Sequence, residues 1–266
     1  MCTVCGCSDN TQTQIDGNTL FRYQAQALPI KLKQQHHSAD HYHEHSPEKI
    51  SLEHDLLAKN DGLAKHNRQN LIQRGVFTLN LLSSPGAGKT RILERTIADL
   101  GSRFCCQVIE GDQATEQDAN RIRKAGAAAV QINTGNGCHL EADMLASAVD
   151  ILKPPQGALL FVENVGNLVC PALFDLGEHR RVVILSITEG EDKPIKYPYI
   201  FHGADLLLIN KMDLLPHLEF DLDACINYAK TVNPSLTILC ISAQSGEGFA
   251  AWYQWLAAEL KSLPKQ

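Results

Sequence analysis

The segment SSPGAGKT, from Ser83 to Thr90, limits the fold of this chain more than any other. It follows the apolar run VFTLNLL and precedes RILERTIADL, a segment that predicts a helix ending at Gly101. A strand, a glycine-rich turn and a helix in this order form a phosphate loop, in which backbone N–H groups surround phosphate oxygens at a helix N-terminus. The sequence therefore predicts a P-loop nucleotide-binding fold.

The residues of this loop have separate predicted tasks. Lys89 is expected to reach the terminal phosphates as the catalytic cation, and the hydroxyl of Thr90 is expected to bind Mg²⁺. The general motif has glycine where this chain has Ser83, so the match is one residue short, and a chance glycine turn that caps a helix is the alternative. The residues predicted to contact the nucleotide are Pro85, Gly86, Ala87, Gly88, Lys89, Thr90 and Arg91.

Short apolar runs alternate with longer polar segments from Val76 onward. The runs are VFTLNLL, CCQVIE, AAVQIN, ALLFVEN, RVVILSIT, DLLLIN and LTILCIS. This alternation is typical of an α/β fold in which helices flank a mostly parallel sheet. We assign residues 51–266 to this P-loop domain and expect its first segment, 51–73, to form helices that are broken near Gly62.

The tetrapeptide NKMD, from Asn210 to Asp213, follows the run DLLLIN at the strand end where open α/β sheets bind ligands. An aspartate there can accept hydrogen bonds from the N1–H and the exocyclic amine of guanine, a donor pair that adenine lacks. Asn210 and Lys211 would support this pocket, and Ser242 and Ala243 resemble the small-residue loop that closes the base pocket in GTPases. The pattern favours GTP over ATP, with a helix-capping turn as the alternative.

Three further residues complete the predicted hydrolytic site. Glu163 ends the run ALLFVEN, where nucleotide hydrolases place an acidic residue near Mg²⁺, and Gly166 follows at a position that can sense the γ-phosphate. Asp112 is expected to bind Mg²⁺ or to orient the attacking water, with a cap for a helix beginning near Thr115 as the alternative. We expect slow in-line attack by water on the γ-phosphate, without a covalent intermediate.

Residues 1–50 form a predicted extension rich in cysteine and histidine. Cys2, Cys5 and Cys7 place three thiols within reach of one ion, which suits planar Ni(II) or tetrahedral Zn(II). Few apolar residues accompany them, so we expect a flexible segment, and a frayed terminus with incidental cysteines is the alternative. The tract HHSADHYHEH is a polar linker that could also store metal, through His36, His37, His41, His43 and His45.

A third group of metal ligands lies inside the predicted domain. Cys138 and His139 occur in NTGNGCHLEADM, and Cys170 occurs in ENVGNLVCPALF, shortly after Glu163 and Gly166. A metal held there would change its affinity with the nucleotide state if its coordination differed between the states. A buried free cysteine beside a histidine at a helix start explains the same residues equally well. Cys105, Cys106, Cys225 and Cys240 lie in apolar runs and are expected in the core.

Composition excludes several other functions. The formal net charge of −6 argues against a nucleic-acid partner, because such proteins usually carry a basic surface. No stretch approaches the roughly 18 apolar residues of a membrane helix, and the first residues lack a signal-peptide pattern, so we expect a cytoplasmic protein without a membrane partner. The nine cysteines are odd in number and three crowd the N-terminus, which favours reduced thiols or metal ligands over a disulfide framework.

The segments SSPGAGKT, GDQATEQD, NTGNGCHLEADM, ENVGNLVCPALF and NKMD, after an N-terminal CxxCGC, resemble the HypB family of nickel-inserting GTPases of hydrogenase maturation. The likeness covers nearly the whole chain. It implies bound GTP or GDP with Mg²⁺, Ni(II) as cargo with Zn(II) as the alternative, and a homodimer that forms with GTP. It implies as partners a HypA-type metallochaperone and the hydrogenase large-subunit precursor. The metal ligands that it implies are Cys138, His139 and Cys170 in a switch region, and Cys2, Cys5 and Cys7 in a tighter nickel site.

Two other functions share part of this pattern. A urease-type accessory GTPase has the same phosphate loop and also handles metal, but CxxCGC together with GCHLEADM favours hydrogenase maturation. A metal-storage protein with vestigial GTP binding would also use many cysteines and histidines. Failure of the purified protein to hydrolyse GTP would favour storage.

Overall fold

The computed structural model describes residues 14–16, 18–19, 47–112 and 117–262, which form an α/β domain. The strands are Gln14–Ile15 (β1), Asn18–Thr19 (β2), Phe77–Ser83 (β3), Cys106–Asp112 (β4), Ala128–Asn133 (β5), Leu159–Glu163 (β6), Arg180–Ser186 (β7), Leu206–Asn210 (β8) and Thr237–Cys240 (β9). The helices are Pro47–Gln73 (α1), Lys89–Leu100 (α2), Gln117–Ala125 (α3), Ala142–Leu152 (α4), Cys170–Leu173 (α5), Lys193–Lys196 (α6), Pro198–His202 (α7), Leu222–Val232 (α8) and Phe249–Ser262 (α9), with a 3₁₀-helix over Met212–His217.

All strands of the described residues belong to one sheet, in the order β2-β1-β5-β4-β6-β3-β7-β8-β9. Strands β3 to β9 are parallel to one another, and β1 pairs antiparallel with both β2 and β5. The seven runs predicted from the sequence are these seven parallel strands, so the predicted fold class is confirmed. Because parallel strands end at one edge, the loops after β3, β4, β6 and β8 lie along the same side of the sheet.

The sheet is buried on both faces, as is usual for parallel strands. On one face, Leu79 and Leu81 of β3 pack with Ile92 of α2 and Trp252 of α9. On the other face, other apolar side chains of the sheet pack with α4, α7 and α8. Strand β3 and helix α2 are therefore fixed in the core, and the loop between them is held at both ends.

One expectation for the first part of the chain is wrong, and one residue of the predicted extension lies in the core. Helix α1 runs from Pro47 to Gln73 without a break at Gly62, because an interior glycine costs only about 1 kcal/mol and the helix packs against α4. Ile15, which the sequence placed in the extension, is 1% exposed and packs with Leu71 and Ile132 in the core. Packing of the domain thus includes residues N-terminal to the predicted boundary at residue 50.

Candidate functional site

The phosphate loop between β3 and α2 has a backbone that requires glycine. Gly86 and Gly88 have φ angles of 75° and 104°, in the left-handed region that glycine adopts without strain. A Cβ at Gly88 would lie 2.5 Å from Asn210 Nδ2. Glycine at this position therefore permits both the turn and the close approach of the NKMD segment.

Lys89 and Ser83 pair at the base of the loop. The Nζ of Lys89 donates to Ser83 Oγ at 2.8 Å, and Lys89 is 8% exposed. Ser83 stands where the general motif has glycine, and in this chain its hydroxyl accepts a hydrogen bond from the lysine ammonium. The departure from the motif thus leaves the loop geometry intact and adds one hydrogen bond.

A cavity of about 400 Å³ opens beside this loop, within the range of small-molecule sites. Its walls come from the phosphate loop, the end of β4, helix α3 and the residues after β6. The predicted site residues that line it are Pro85, Gly86, Gly88, Lys89, Thr90, Arg91, Asp112, Glu163 and Gly166. The lining residues that sequence reasoning missed are Glu110, Gly111, Asp118, Arg121, Asn164 and Val165.

Two buried carboxyl groups, those of Glu110 and Glu163, face each other across neighbouring strands and line this cavity. Thr90 Oγ1 donates to Glu163 Oε1 at 2.8 Å, whereas the Oε2 atoms of both glutamates have no hydrogen-bond partner among the described residues. Burial raises the pKa of Glu163 to about 7. Burial, together with the negative charges of Glu163 and Asp112, raises the pKa of Glu110 to about 9.

These oxygen atoms fit a magnesium ion. A hard divalent cation prefers carboxylate and hydroxyl oxygens, and its charge would offset the cost of burying two acidic groups. Thr90 and Glu163 were predicted from the sequence to hold Mg²⁺, and Glu110 was not. A glutamate that ends the apolar run CCQVIE two residues before Asp112, and hence on the same face of the strand, was the available signal.

We expect Glu110→Gln to stabilise the protein at pH 8 in the absence of Mg²⁺ and nucleotide. The unfolded carboxyl has a pKa near 4.5 and the folded one about 9, so folding at pH 8 requires uptake of a proton. Because the folded pKa is the higher one, this carboxyl does not lower the free energy of unfolding below pH 4.5. It lowers that free energy progressively as the pH rises from 4.5 towards 9. Glutamine removes this cost, so the Tm of the variant should exceed that of the wild type by several degrees at pH 8 and by much less at pH 5, which thermal denaturation would measure.

The matched control is Glu219→Gln, which removes the same charge from an exposed position. It should leave the Tm unchanged at both pH values. If Glu110→Gln gave no greater gain at pH 8 than at pH 5, the side chain would not be a buried protonated carboxyl.

Asp112 and Gly166 both line the cavity. Asp112 ends β4 beside Glu110, while α3 begins at Gln117 and residues 113–116 lie outside the described part of the chain. Both interpretations of Asp112, a magnesium or water ligand and a helix cap, remain predictions. A Cβ at Gly166 would lie 2.9 Å from Pro85 Cα, so the segment after β6 touches the phosphate loop directly.

The NKMD segment contacts the other side of the phosphate loop. Asn210 Nδ2 donates to the carbonyl oxygen of Ala87 at 2.9 Å, and its Oδ1 accepts from the backbone N–H of Ala243 at 3.1 Å. Lys211 Nζ donates to the carbonyl oxygen of Gly86 at 2.8 Å. These bonds join the predicted base-binding segment, the phosphate loop and the segment after β9 into one unit.

Asp213 is placed in this unit by Ser242, whose hydroxyl donates to Asp213 Oδ1. The same hydroxyl oxygen accepts from the backbone N–H of Ser245 at 3.0 Å, which fixes the loop after β9. Asp213 is partly exposed and does not line the cavity beside β4 and β6. The predicted base-binding segment therefore contacts the phosphate loop, but its aspartate is not part of the cavity lining.

Cys138 and His139, in the loop before α4, meet Cys170, the first residue of α5. One ligand atom from each, two Sγ atoms and a ring nitrogen, lies within 4.8 Å of the others, and Cys138 Sγ is 3.7 Å from His139 Nδ1. His139 and Cys170 are 4% and 6% exposed, whereas Cys138 is partly exposed. The His139 ring stacks on Phe174 with centroids 3.8 Å apart. Two thiols and an imidazole are suitable ligands for Ni(II) or Zn(II).

Helix α1 braces both segments that carry these ligands. Asn60 Oδ1 accepts from the N–H of Ala142 at 2.9 Å, and Asn60 Nδ2 donates to the carbonyl oxygen of Asp175 at 2.7 Å. Asn67 Nδ2 donates to the carbonyl oxygens of Ala142 at 2.7 Å and of Leu176 at 3.0 Å. Two buried asparagines thus hold the start of α4 and the segment after α5 against the same helix.

The structure locates the four cysteines expected in the core but not the other predicted metal ligands. Cys2, Cys5, Cys7, His36, His37, His41, His43 and His45 lie outside the described residues. Of the cysteines expected in the core, Cys106 and Cys225 are buried and Cys240 is partly buried, but Cys105 is exposed, so that expectation was wrong for Cys105.

No helix in the described part of the chain has the length and apolar character needed to cross a membrane.

Comparisons with known proteins agree on one family. The profile of the CobW/HypB/UreG nucleotide-binding domain matches residues 77–240. A protein called hydrogenase maturation factor HypB from Azotobacter vinelandii is 49% identical over 278 residues, which cover 96% of this chain and 91% of that protein. The Escherichia coli K12 protein of the same name is 53% identical over 210 residues, which cover 79% of this chain and 72% of that protein.

Two solved structures have the same fold. The hydrogenase maturation factor HypB from Archaeoglobus fulgidus superposes with a TM-score of 0.72 at 39% identity, over 76% of this chain and 99% of that one. A HypB structure from Helicobacter pylori in complex with nickel superposes with a TM-score of 0.73 at 38% identity, over 76% and 95% of the two chains.

Proposed function

Because the chain belongs to the CobW/HypB/UreG family, and within it to the HypB hydrogenase maturation factors, we propose that it hydrolyses GTP to GDP and phosphate and thereby controls nickel delivery. The nickel is destined for a nickel–iron hydrogenase. The observation that carries the proposal is that one short stretch, from Glu163 at the end of β6 to Cys170, reaches both sites. Glu163 and Gly166 line the cavity, and Cys170 joins the thiol–imidazole cluster.

The nucleotide side of the site suits phosphoryl transfer to water. The Lys89 ammonium and the backbone amides of the phosphate loop would stabilise charge that develops on the γ-phosphate. Thr90, Glu163 and Glu110 would hold Mg²⁺, which neutralises phosphate charge when bound. Asp112 would orient the attacking water. As predicted from the sequence, turnover without an activator would be slow.

The cluster of Cys138, His139 and Cys170 would hold the nickel cargo. Its thiol and imidazole ligands suit Ni(II), with Zn(II) as the alternative, and the partial exposure of Cys138 offers a route for the ion. The nickel complex of the Helicobacter pylori relative supports this choice of metal. The thiols Cys2, Cys5 and Cys7 would form a second nickel site, and the histidine tract a storage segment.

Protein partners would meet the chain near the cluster. Val169 and Leu173 are 55% and 39% exposed on either side of Cys170, and exposed apolar side chains beside a ligand suit a docking partner. We place the second copy of a GTP-dependent dimer, a HypA-type metallochaperone and the hydrogenase large-subunit precursor among these partners. The reaction would take place in the cytoplasm, where thiols stay reduced.

We expect Asp213→Asn to weaken binding of a non-hydrolysable GTP analogue by about 30-fold. The carboxylate can accept from both guanine donors, whereas asparagine keeps one acceptor oxygen and loses the charge, a loss of about 2 kcal/mol. Binding of the ATP analogue should not weaken, since adenine lacks the donor pair. Isothermal titration of both analogues measures the change.

The matched control is Asp223→Asn, which removes an exposed carboxylate on α8. It should leave both affinities unchanged. Equal effects of Asp213→Asn on the two analogues would show that Asp213 does not read the base, and a wild-type protein that hydrolyses neither GTP nor ATP would favour the storage alternative.

A further inference from the structure

We infer that Asn164 is the positioning residue that transmits the nucleotide state to the metal cluster, through a buried chain of hydrogen bonds that includes Asn80 and Glu178. The inference rests on the proposed function and adds to it a physical route between the two sites. It rests on the contacts of Asn164, Asn80 and Glu178, whose exposed fractions are 1%, 0% and 4%.

The first branch of the route runs from the cavity wall to the histidine ligand. Asn164 follows Glu163 and lines the nucleotide cavity. Its Oδ1 accepts from the backbone N–H of Val165 at 2.9 Å and from that of Leu140 at 3.2 Å. Since Leu140 directly follows His139, one oxygen atom joins the wall of the cavity to the segment that carries two of the three ligands.

The second branch runs from the same side chain to the segment after Cys170. Asn164 Nδ2 donates to Asn80 Oδ1 at 3.2 Å, and Asn80 Nδ2 donates to Glu178 Oε1 at 3.2 Å. Glu178 Oε2 accepts from the backbone N–H of Leu176 at 2.8 Å. Leu176 lies in the segment that also supplies Phe174, the ring stacked on His139, so this branch ends on the other wall of the cluster.

Each hydrogen bond of this network has only one possible donor and one possible acceptor. Backbone N–H groups only donate, so the oxygen of Asn164 must face Leu140 and Val165, and its amide nitrogen must face Asn80. The oxygen of Asn80 must then accept, which turns its nitrogen to the carboxylate of Glu178. Arg181 Nε donates to the same Glu178 Oε1 at 2.6 Å and provides the opposite charge. Each side chain is therefore locked in one orientation.

Such a network transmits a displacement of one backbone segment to the others, because its hydrogen bonds cannot be broken without a cost in free energy. A buried amide that loses its partner costs about 1–3 kcal/mol, and all three side chains of the network are almost fully buried. A shift of residues 163–166 on binding the γ-phosphate would therefore move the segments of Leu140 and Leu176 together. The distances between the cluster's ligand atoms would change in the same step, and with them the affinity for nickel.

The test compares nickel affinity in two nucleotide states, with GDP and with a non-hydrolysable GTP analogue, each at saturating concentration. The full-length chain carries Cys2→Ser, Cys5→Ser and Cys7→Ser, which removes the second proposed thiolate site. Nickel at the internal cluster is followed through its nickel–thiolate absorption, which nickel held by the histidine tract does not give. We expect the two affinities of this reference protein to differ by about 5- to 150-fold. Asn164→Ala should reduce that ratio to within about twofold of unity. In the reference protein, the nickel–thiolate absorption band should shift between the two nucleotide states, and in Asn164→Ala it should not. A residue with a purely structural role would not couple this band to the nucleotide.

Two further variants separate the branches and keep the test decisive if Asn164→Ala fails to fold. Asn164→Asp keeps an acceptor for Leu140 and Val165 but loses the donor to Asn80, so it should retain part of the ratio. Asn80→Ala breaks the second branch without altering a residue of the cavity lining, and it should lower the ratio as well.

The matched control is Asn233→Ala, because Asn233 is 6% exposed and its amide donates to the carbonyl oxygens of Phe201 at 3.1 Å and Ala204 at 2.9 Å, away from the network. It should keep the reference ratio. If Asn164→Ala and Asn80→Ala keep the ratio, or if Asn233→Ala loses it equally, the inference is overturned. A reference protein with no difference between nucleotide states would instead contradict the proposed function itself.

Discussion

Replacing Lys89 with alanine is expected to lower GTP turnover by about 100- to 1,000-fold. The Lys89 ammonium lies 2.8 Å from Ser83 Oγ and is the buried cation of the phosphate loop. Its removal takes away one of the positive charges that would stabilise the transferring phosphate beside Mg²⁺ and the loop amides. Phosphate release under single-turnover conditions measures the effect, and nickel binding in the absence of nucleotide should be unchanged because the thiols belong to other segments.

Lys261→Ala is the matched control, since it removes an exposed lysine in the last turn of α9. It should leave turnover unchanged. Turnover of Lys89→Ala within a factor of about three of wild type would remove Lys89 from the mechanism. Equal loss of GTP turnover and nickel binding would contradict the separation of the two sites.

Replacing Cys170 with serine is expected to weaken nickel binding at the internal cluster by about 100-fold or more. A serine hydroxyl is a poor ligand for Ni(II), so the cluster would keep one thiol and one imidazole, and loss of a direct ligand should exceed the 10- to 100-fold losses found for outer-shell partners. Cys138→Ser should act in the same direction. Competition with a chromophoric chelator measures the affinity.

The background for this experiment is the full-length chain with Cys2→Ser, Cys5→Ser and Cys7→Ser. Truncation at Ser51 would remove the same thiols, but it would also remove Ile15 from the core and the start of helix α1. Cys105→Ser is the control, because it removes an exposed thiol outside the cluster. Unchanged nickel affinity in both Cys138→Ser and Cys170→Ser would mean that the cluster is not a nickel site.

The parallel sheet and the phosphate loop could be predicted from the sequence because their signals are local. Each buried strand is a short apolar run, and the loop from Ser83 to Thr90 lies between one such run and a helix. Gly62 misled the prediction because helix propensity is a weak preference that packing against α4 overrides. Ile15 was missed because a two-residue strand has no periodicity to detect.

Residues of the candidate site could be predicted only where they belong to a recognisable sequence motif. Glu110 was missed although it ends an apolar run, because nothing in the sequence places it opposite Glu163 on the neighbouring strand. The meeting of Cys138 with Cys170 depended on family resemblance, since residues in different loops become neighbours only through the fold. Asn80 and Asn164 look like ordinary polar residues in the sequence, and their buried hydrogen bond is a tertiary property.

The most direct test of the account is the nickel affinity of the internal cluster, measured with GDP and with a non-hydrolysable GTP analogue in the protein that lacks the three N-terminal thiols. Mass measurement in the same samples would report whether two copies associate. The account predicts that nickel affinity differs between the two nucleotide states. Equal affinities in both states would contradict it, because GTP could then not control the delivery of nickel through this cluster.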